Sequence, residues 1–237
     1  DSEVCCQKAH MTTTHGIYEL FEPLLRGIPV VIIPDEETRN LEGFWDTIRT
    51  QGITRLLIVP SVLRASLDMP GFEAPALNVV VLMGEYVHPG LAGRAIAAFP
   101  EQTYLCSIYG STEASSTLLC ELRESYRPGE ELPLGKPAGE TGRLHMAGTP
   151  LFTEYFNDPE LTTAAFVQPP GLPVPVFDTR DQVRSLPDGG IEYLGRVDET
   201  VKIRGFRVDL PEVERAVLRQ PGVKQVAAVV SGSETGN

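Results

Sequence analysis

The chain has 237 residues, of which 42% are hydrophobic, enough for one large domain or for one domain and part of another. Its 32 acidic residues outnumber its 20 basic ones, and the formal charge of −12 argues against nucleic acid or an anionic membrane as the main partner. No apolar run approaches the about 20 residues of a membrane-spanning helix, and the four cysteines lack the spacing of a metal site.

Apolar periodicity predicts alternating helices and strands over the first half of the chain. The predicted helices cover residues 16–27, 40–52 and 91–99, with a further helix that Ser61 would cap. The predicted strands cover residues 28–34, 53–60, 77–84 and 103–110. Because these strands are apolar throughout, we expect a parallel sheet covered by helices on both faces. Ligands of such sheets bind beyond the carboxyl ends of the strands, where the loops "MGEY" (83–86) and "YGSTE" (109–113) lie.

After residue 122 the pattern becomes that of short antiparallel strands. The segments "RLHMAG", "PVPVFDTRDQVRSL" and "GIEYLGRV" are predicted strands, and "PDGG" (187–190) is a predicted hairpin turn. From Asp198 onward we expect a helix whose Val213, Ala216 and Val217 face inward, followed by a turn and a strand.

The predicted fold class is therefore α/β: a parallel sheet with flanking helices, then a small antiparallel β section and the start of a small α+β C-terminal domain. The corresponding regions are 1–122, 123–197 and 198–237.

A cluster of cations lies in "GRVDETVKIRGFRVD" (195–209), although the chain as a whole is acidic. Its members are Arg196, Lys202, Arg204 and Arg207. Cations among flexible glycines suit a phosphate or carboxylate ligand, and the carboxylate of Asp181 on the preceding strand could accept hydrogen bonds from a ribose diol. The alternative is a solvated hairpin with ordinary salt bridges.

Three motifs occur in a characteristic order: "YGSTE", "FDTRD" (177–181) and "GRVDETVKIRGFRVDLPEVE" (195–214). Together with "MGEY" and the block at 142–166, they resemble the adenylate-forming enzymes, which include nonribosomal peptide synthetase adenylation domains, acyl-CoA synthetases and luciferases. The chain looks closest to amino-acid adenylation domains or their stand-alone relatives. The resemblance implies that a carboxylic or amino acid and ATP give acyl-AMP, and that the acyl group passes to the thiol of phosphopantetheine, on a carrier protein or in coenzyme A.

The resemblance also implies a nucleotide site. Its residues would be Gly84, Glu85, Tyr109, Gly110, Thr112, Asp181 and Arg196. Tyr109 would stack on adenine, Asp181 would bind the ribose hydroxyls and Arg196 would contact the nucleotide. Thr112 and Glu113 would be catalytic, with Thr112 on the α-phosphate and Glu113 holding Mg²⁺.

Two further groups of residues follow from the same resemblance. Asp198 would lie at the hinge between the large and small domains, and Lys202 and Gly205 on the face presented for thioester formation. Thr14, His15 and Tyr18 would line the acyl pocket. Amino-acid-activating relatives have an aspartate where Thr14 stands, and a hydroxyl does not neutralise an ammonium group, so a β-amino, aryl or aliphatic acid is the expected substrate.

The chain departs from the family pattern in several places. It contains neither the family's Gly/Ser/Thr-rich phosphate loop nor its C-terminal catalytic lysine, and it has Arg180 and Pro211 where glycine is usual. We therefore expect a fragment, without an initiator Met, that binds nucleotide weakly and does not turn over. The alternative to a piece of a ligase is a non-catalytic relative that at most binds nucleotide or a partner.

A doubly wound nucleotide-binding module is a third possibility, disfavoured because no "GxGxxG" follows a strand. Cysteine usage and the polar first residues favour a cytoplasmic location.

Overall fold

A computed structural model describes residues 3–75, 77–128, 141–147, 151–168, 175–186, 190–203 and 206–230, without the side chains of 115–117, 141 and 185. The chain divides into two compact units, each of which is described by itself. Unit 1 consists of residues 1–108 and 119–132, and unit 2 of residues 109–118 and 133–237. No helix in the described ranges combines the length and hydropathy needed to cross a bilayer.

Unit 1 has the predicted alternation of strands and helices. Its strands are β1 (Cys5–Gln7), β2 (Val30–Ile32), β3 (Arg55–Ile58), β4 (Val79–Met83), most of β5 (Tyr104–Ser111) and the end of β6 (Ser115–Glu121). Its helices are α1 (Thr14–Leu25), α2 (Asp35–Arg39), α3 (Leu41–Thr50), α4 (Pro60–Leu67), α5 (Pro89–Ala98) and α6 (Leu122–Ser125). The strands form two sheets, a parallel pair β1–β2 and the order β3-β4-β5-β6, in which β3, β4 and β5 are parallel.

The core of unit 1 is centred on α3, as its apolar stripe predicts. Phe44, Trp45 and Ile48 are all at most 2% exposed. The Trp45 indole donates a hydrogen bond of 2.8 Å from Nε1 to Ser66 Oγ, and its ring packs edge-on against Phe72 with centroids 5.1 Å apart. The indole thus buries its apolar rings while its one donor is satisfied, as a buried tryptophan requires.

Helix α1 differs from α3 in the face that it buries. The predicted helix forms and ends near Gly27, whose φ of +70° suits a glycine. Its apolar stripe, however, is exposed in unit 1, with Phe21 51% and Leu25 86% accessible. Glu19 is buried instead, because its carboxylate accepts hydrogen bonds from the Lys8 Nζ and backbone N–H and from the Ala9 N–H, at 2.7 to 2.9 Å.

Unit 2 contains the predicted antiparallel section. Its strands are β7 (Thr141–Met146), β8 (Phe166–Val167), β9 (Val176–Ser185), β10 (Ile191–Arg196), β11 (Thr200–Ile203) and β12 (Phe206–Asp209), and its helices are α7 (Pro159–Ala165) and α8 (Leu210–Leu218). One sheet has the order β10-β9-β7 with β8 on β9, and β11 pairs with β12. Residues 187–189 of the predicted hairpin turn lie outside the described residues.

The predictions for the C-terminal segment are only partly correct. Helix α8 forms, with the Asp209 carboxylate capping the Glu212 N–H at 2.9 Å and Pro211 in the first turn, where it removes no needed donor. Val213, Ala216 and Val217 were predicted to face inward, but all three are exposed. Residues 223–230 form no strand, because a strand needs a neighbour for its N–H and C=O groups and none in the described chain pairs with them.

Candidate functional site

Four side chains of unit 2 form one hydrogen-bonded network. Tyr109 near the end of β5 donates its hydroxyl to Asp181 Oδ2. Arg196 lies opposite Asp181 in the β9–β10 register and donates from Nη1 to Asp181 Oδ1 at 2.7 Å. Its Nε and Nη2 donate to the two carboxylate oxygens of Asp198, both at 2.7 Å. The structure thus brings together Tyr109, Asp181 and Arg196, which the sequence predicted to converge, and adds Asp198 to them.

Burial controls the protonation of this network. It raises the pKa of Asp181 above its usual value, although Tyr109 and Arg196 act in the opposite direction. Burial and the adjacent Asp181 charge raise the pKa of the Tyr109 phenol, which therefore keeps its proton and donates it. Burial opposes ionisation of Asp198, but the hydrogen bonds and charge of Arg196 hold its pKa below the usual value.

Tyr193 is a member of this neighbourhood that sequence reasoning missed. Burial, followed by the charge of Asp181, raises the pKa of its phenol to about 12. It lies on β10, three residues before Arg196, within the strand predicted from "GIEYLGRV". No motif singled it out, since an aromatic residue in a strand is ordinary.

A tight turn in β9 positions Asp181. The Asp178 carboxylate accepts a hydrogen bond from the Arg180 N–H at 3.0 Å, and the Thr179 hydroxyl accepts one from the Asp181 N–H at 3.1 Å. Arg180 has a φ of +64°, in the left-handed region that favours glycine. This conformation gives a physical reason for the glycine that the resembling family usually has there.

Glu113, in the turn between β5 and β6, is the second centre of unit 2. Its residue is 8% exposed, and its Oε1 accepts hydrogen bonds from Tyr155 Oη and Arg207 Nη1, each at 2.9 Å. Burial raises its pKa, but its own backbone N–H, Arg207 and Tyr155 outweigh that effect and hold the pKa below the usual value. The carboxylate is therefore ionised at neutral pH. Tyr155, whose pKa burial and Glu113 raise to about 12, was not predicted, although it lies in the block at 142–166.

Glu113 has the chemistry of a single carboxylate ligand for a divalent metal ion. Mg²⁺ prefers one or two carboxylates completed by phosphate oxygens and water. Glu113 supplies an ionised carboxylate, and its Oε2 accepts neither the Tyr155 nor the Arg207 bond. Within the described ranges no three His, Cys, Asp or Glu residues cluster as a metal site would require.

The other predicted site residues of unit 2 differ in how exposed they are. Gly110 is half-buried in β5, Thr112 is exposed in the turn before Glu113, and Lys202 is exposed on β11. The positive charge of Lys202 lowers the pKa of Asp181, in opposition to burial. Gly205 lies outside the described residues.

In unit 1 one of the predicted acyl-pocket residues, His15, lies against Gly84 at the end of β4. Gly84 has a φ of +90°, and a Cβ at this position would lie 3.1 Å from Cε1 and Nε2 of His15. The left-handed backbone favours glycine here, and the close approach of the His15 ring leaves little room for a side chain. Thr14 and His15 are half-buried in the first turn of α1, whereas Tyr18 is 36% exposed.

Glu85 has a structural partner that the sequence did not predict. Its carboxylate accepts hydrogen bonds from the Ser61 N–H at 2.7 Å and the Ser61 hydroxyl at 2.8 Å. Helix α4 begins at Pro60 with Val59 as its N-cap, so the prediction that Ser61 caps the helix is wrong. The Glu85 carboxylate meets the unpaired donors of the first turn instead, and this fixes the 84–88 loop to α4.

Comparison with known proteins gives a consistent result. A family model described as "AMP-binding enzyme" matches residues 1–156. A plipastatin synthase of Bacillus subtilis is 35% identical over 237 residues, and tyrocidine synthase 3 of Brevibacillus parabrevis is 34% identical over 245 residues. These alignments cover 93% and 94% of this chain but 7% and 4% of the two synthases.

Two solved structures resemble the fold. IdnL1 matches with a TM-score of 0.81 at 26% identity, covering 96% of this chain and 52% of that chain. The Vibrio cholerae adenylation domain AlmE, solved with glycyl-adenosine-5'-phosphate, matches with a TM-score of 0.77 at 25% identity, covering 92% and 45%. The chain thus spans about half of these two chains and less than a tenth of the two synthases.

Proposed function

Because the chain belongs to the AMP-binding enzyme family, we propose that it is part of an ATP-dependent adenylate-forming ligase. The ligase activates a carboxylic or amino acid as acyl-AMP and passes the acyl group to a phosphopantetheine or coenzyme A thiol. The observation that carries this proposal is the network in which Tyr109, Asp181 and Arg196 meet. These residues come from three separate segments, and the resemblance assigns all three to one nucleotide.

The network suits the adenosine part of the nucleotide. The Tyr109 ring offers a stacking surface for adenine, and Gly110 lets the backbone approach the ligand. The Asp181 carboxylate accepts the ribose hydroxyls in place of the Tyr109 hydroxyl. Arg196 is held by Asp198 in a bidentate pair, so its Nη1 is directed at Asp181 before the nucleotide binds. Preorganisation of this kind lowers the entropic cost of binding.

The phosphate end of the nucleotide is assigned to the turn between β5 and β6. The exposed Thr112 hydroxyl binds the α-phosphate. The resemblance assigns Gly84 and Glu85 to the adenine and acyl side. Glu113 holds Mg²⁺, with its ionised carboxylate kept in place by Tyr155. A metal ion held there would supply positive charge to the phosphates. The bond from the substrate carboxylate to the α-phosphorus forms as the bond to the pyrophosphate leaving group breaks.

The proposal also extends to the acid that is activated and to the thiol that accepts the acyl group. Thr14, His15 and Tyr18 line the acyl pocket, and no carboxylate stands at residue 14 to hold an α-ammonium group. A β-amino, aryl or aliphatic acid is therefore favoured. Asp198 serves as the hinge, and Lys202 belongs to the face that meets the acceptor thiol. The resemblance assigns Gly205, which lies outside the described residues, to the same face. The acceptor is the thiol of phosphopantetheine, on a carrier protein or in coenzyme A.

The same proposal gives a role to each of three regions of the chain. Residues 1–122 supply the acyl and adenine side, residues 123–197 the ribose side, and residues 198–237 begin the small domain.

The second candidate is a non-catalytic relative that keeps the fold and at most binds nucleotide or a partner. The observation that favours it is Arg180, a strained residue in the turn that positions Asp181.

Acid-dependent exchange of pyrophosphate into ATP separates the two candidates. The longest product of the gene and the 237-residue chain are each assayed with ATP, Mg²⁺ and a panel of carboxylic acids. We expect exchange by the longer product, loss of at least about tenfold of that exchange in its Asp181→Asn variant, and no change in an Asp68→Asn control. Asp68 pairs with Arg94 on the surface of unit 1. No exchange by the longer product with any acid would favour the non-catalytic relative.

A further inference from the structure

The guanidinium of Arg207 is paired with the Glu113 carboxylate, which is also the proposed ligand of a metal ion. Arg207 lies on β12, 94 residues from Glu113 in sequence, and its Nη1 is 2.9 Å from Glu113 Oε1. The Glu113 side chain is 10% exposed, whereas that of Arg207 is 47% exposed. The carboxylate is therefore a fixed, buried anion, and the arginine reaches it from the solvent side.

A second contact keeps the anion in place whether or not the arginine is present. Tyr155 Oη donates to the same oxygen at 2.9 Å. Tyr155 precedes α7, and the Glu113 carbonyl accepts a hydrogen bond from the Phe152 N–H at 2.8 Å, so the 152–155 segment is tied to the Glu113 turn at two points. Removing Arg207 would leave an oriented carboxylate that lacks its compensating charge.

The arginine, in contrast, is carried by a small element. Strands β11 and β12 form a two-stranded antiparallel pair in which Lys202 lies opposite Arg207. An isolated pair of strands is only marginally stable by itself and depends on contacts such as the Arg207–Glu113 pair. The two oxygens of one carboxylate are close together, so a metal ion bound to either oxygen of Glu113 would lie close to the Arg207 guanidinium, and the two cations would repel each other strongly.

We propose that Arg207 and a divalent metal ion compete for Glu113, so that metal binding displaces the guanidinium and loosens the β11–β12 hairpin. The proposal rests on the proposed role of Glu113 as a metal ligand. The coupling is reciprocal: whatever holds the hairpin in place weakens metal binding, and the metal weakens the hold on the hairpin. The hairpin also carries Lys202, whose positive charge acts on Asp181. Metal binding at Glu113 therefore also changes the electrostatic environment of Asp181, the proposed ribose ligand.

The competition is tested on the longest gene product with Mn²⁺ in the presence of saturating AMP, whose phosphate oxygens complete the metal site, and the free ion is followed by its electron paramagnetic resonance signal. We expect Arg207→Gln to bind Mn²⁺ roughly tenfold more tightly than the unsubstituted protein, since it loses a charge-assisted competitor. Arg207→Lys keeps the positive charge and should bind Mn²⁺ less tightly than Arg207→Gln. Arg184→Gln breaks a comparable pair between an exposed arginine and the buried Glu192, at 2.6 Å, and should leave Mn²⁺ affinity unchanged.

Two results would overturn the proposal for different reasons. If Arg207→Gln gains no affinity although Glu113→Gln loses it, Glu113 is a ligand but Arg207 does not compete. If Glu113→Gln changes nothing, either alone or in the Arg207→Gln background, Glu113 is not a metal ligand and that part of the proposed function fails as well.

Hydrogen exchange gives a readout independent of affinity. Mn²⁺ should accelerate amide exchange in 200–203 and 206–209 of the unsubstituted protein, and should have no such effect in Glu113→Gln. Unchanged protection of the hairpin at saturating Mn²⁺ would contradict displacement, and circular dichroism confirms that each variant is folded.

Discussion

At the scale of single residues, two of the buried carboxylates of unit 2, Asp181 and Glu113, have pKa values shifted in opposite directions. Asp181 is surrounded by donors, yet burial dominates and raises its pKa, so its ionised form costs stability. Glu113 is also buried, but its hydrogen bonds and Arg207 outweigh burial and lower its pKa. Sequence reasoning identified both residues by motif. It could not give the direction of either shift, because that depends on partners distant in sequence.

The lowered pKa of Glu113 gives a pH-dependent prediction. A carboxylate whose folded pKa is depressed stabilises the protein above its unfolded pKa, here about the ordinary value of 4.5, and loses this contribution as pH falls through the folded pKa. We therefore expect Glu113→Gln to reduce the free energy of unfolding at neutral pH, with the deficit shrinking below pH 4.5. Urea unfolding from pH 3 to pH 7 measures it, and a constant deficit across this range would contradict it.

At the scale of elements, strand and helix positions followed from periodicity, while the direction each element faces did not. The stripe on α3 is buried around Trp45, but the similar stripe on α1 is exposed in unit 1. Apolar spacing specifies a helix face without specifying what covers it. The burial of Glu19 on α1 was equally hidden, because it depends on donors from residues 8 and 9.

The turn in β9 gives a prediction about backbone strain. Arg180→Gly should raise the free energy of unfolding by about 1 kcal/mol, because glycine adopts a φ of +64° without the steric cost that arginine bears. Arg184→Gly on the same strand is the control. It should lower stability, because glycine adds freedom to the unfolded chain without relieving any strain at an extended position, and because the pair with Glu192 is lost. Both values come from urea titration, and a loss of stability in Arg180→Gly would show that the turn is not strained.

The cap on α4 gives a second prediction at this scale. Glu85→Ala removes the acceptor for the Ser61 N–H and hydroxyl, and should cost about 1 kcal/mol of unfolding free energy, as loss of a helix cap does. The exposed Glu101→Ala provides the control and should change little. Equal effects of the two substitutions would mean that Glu85 does not anchor α4.

At the scale of the whole molecule, the fold class and the family could be predicted from the sequence, because alternation and ordered motifs are properties of the chain alone. The predicted final strand at 223–230 fails because pairing needs a neighbour that periodicity does not reveal. Tyr155 and the Arg207–Glu113 pair could not be predicted either, since their meeting depends on how unit 2 folds. The sequence identifies the side chains available for chemistry, and the structure shows which of them contact one another.

The central claim is that Tyr109, Asp181 and Arg196 bind one adenosine monophosphate group. The most direct test is a crystal structure of the longest gene product with AMP. The account predicts adenine against the Tyr109 ring and the ribose hydroxyls within hydrogen-bond distance of the Asp181 carboxylate, with Arg196 beside them. AMP bound elsewhere, with the Tyr109–Asp181–Arg196 network unchanged, would contradict it.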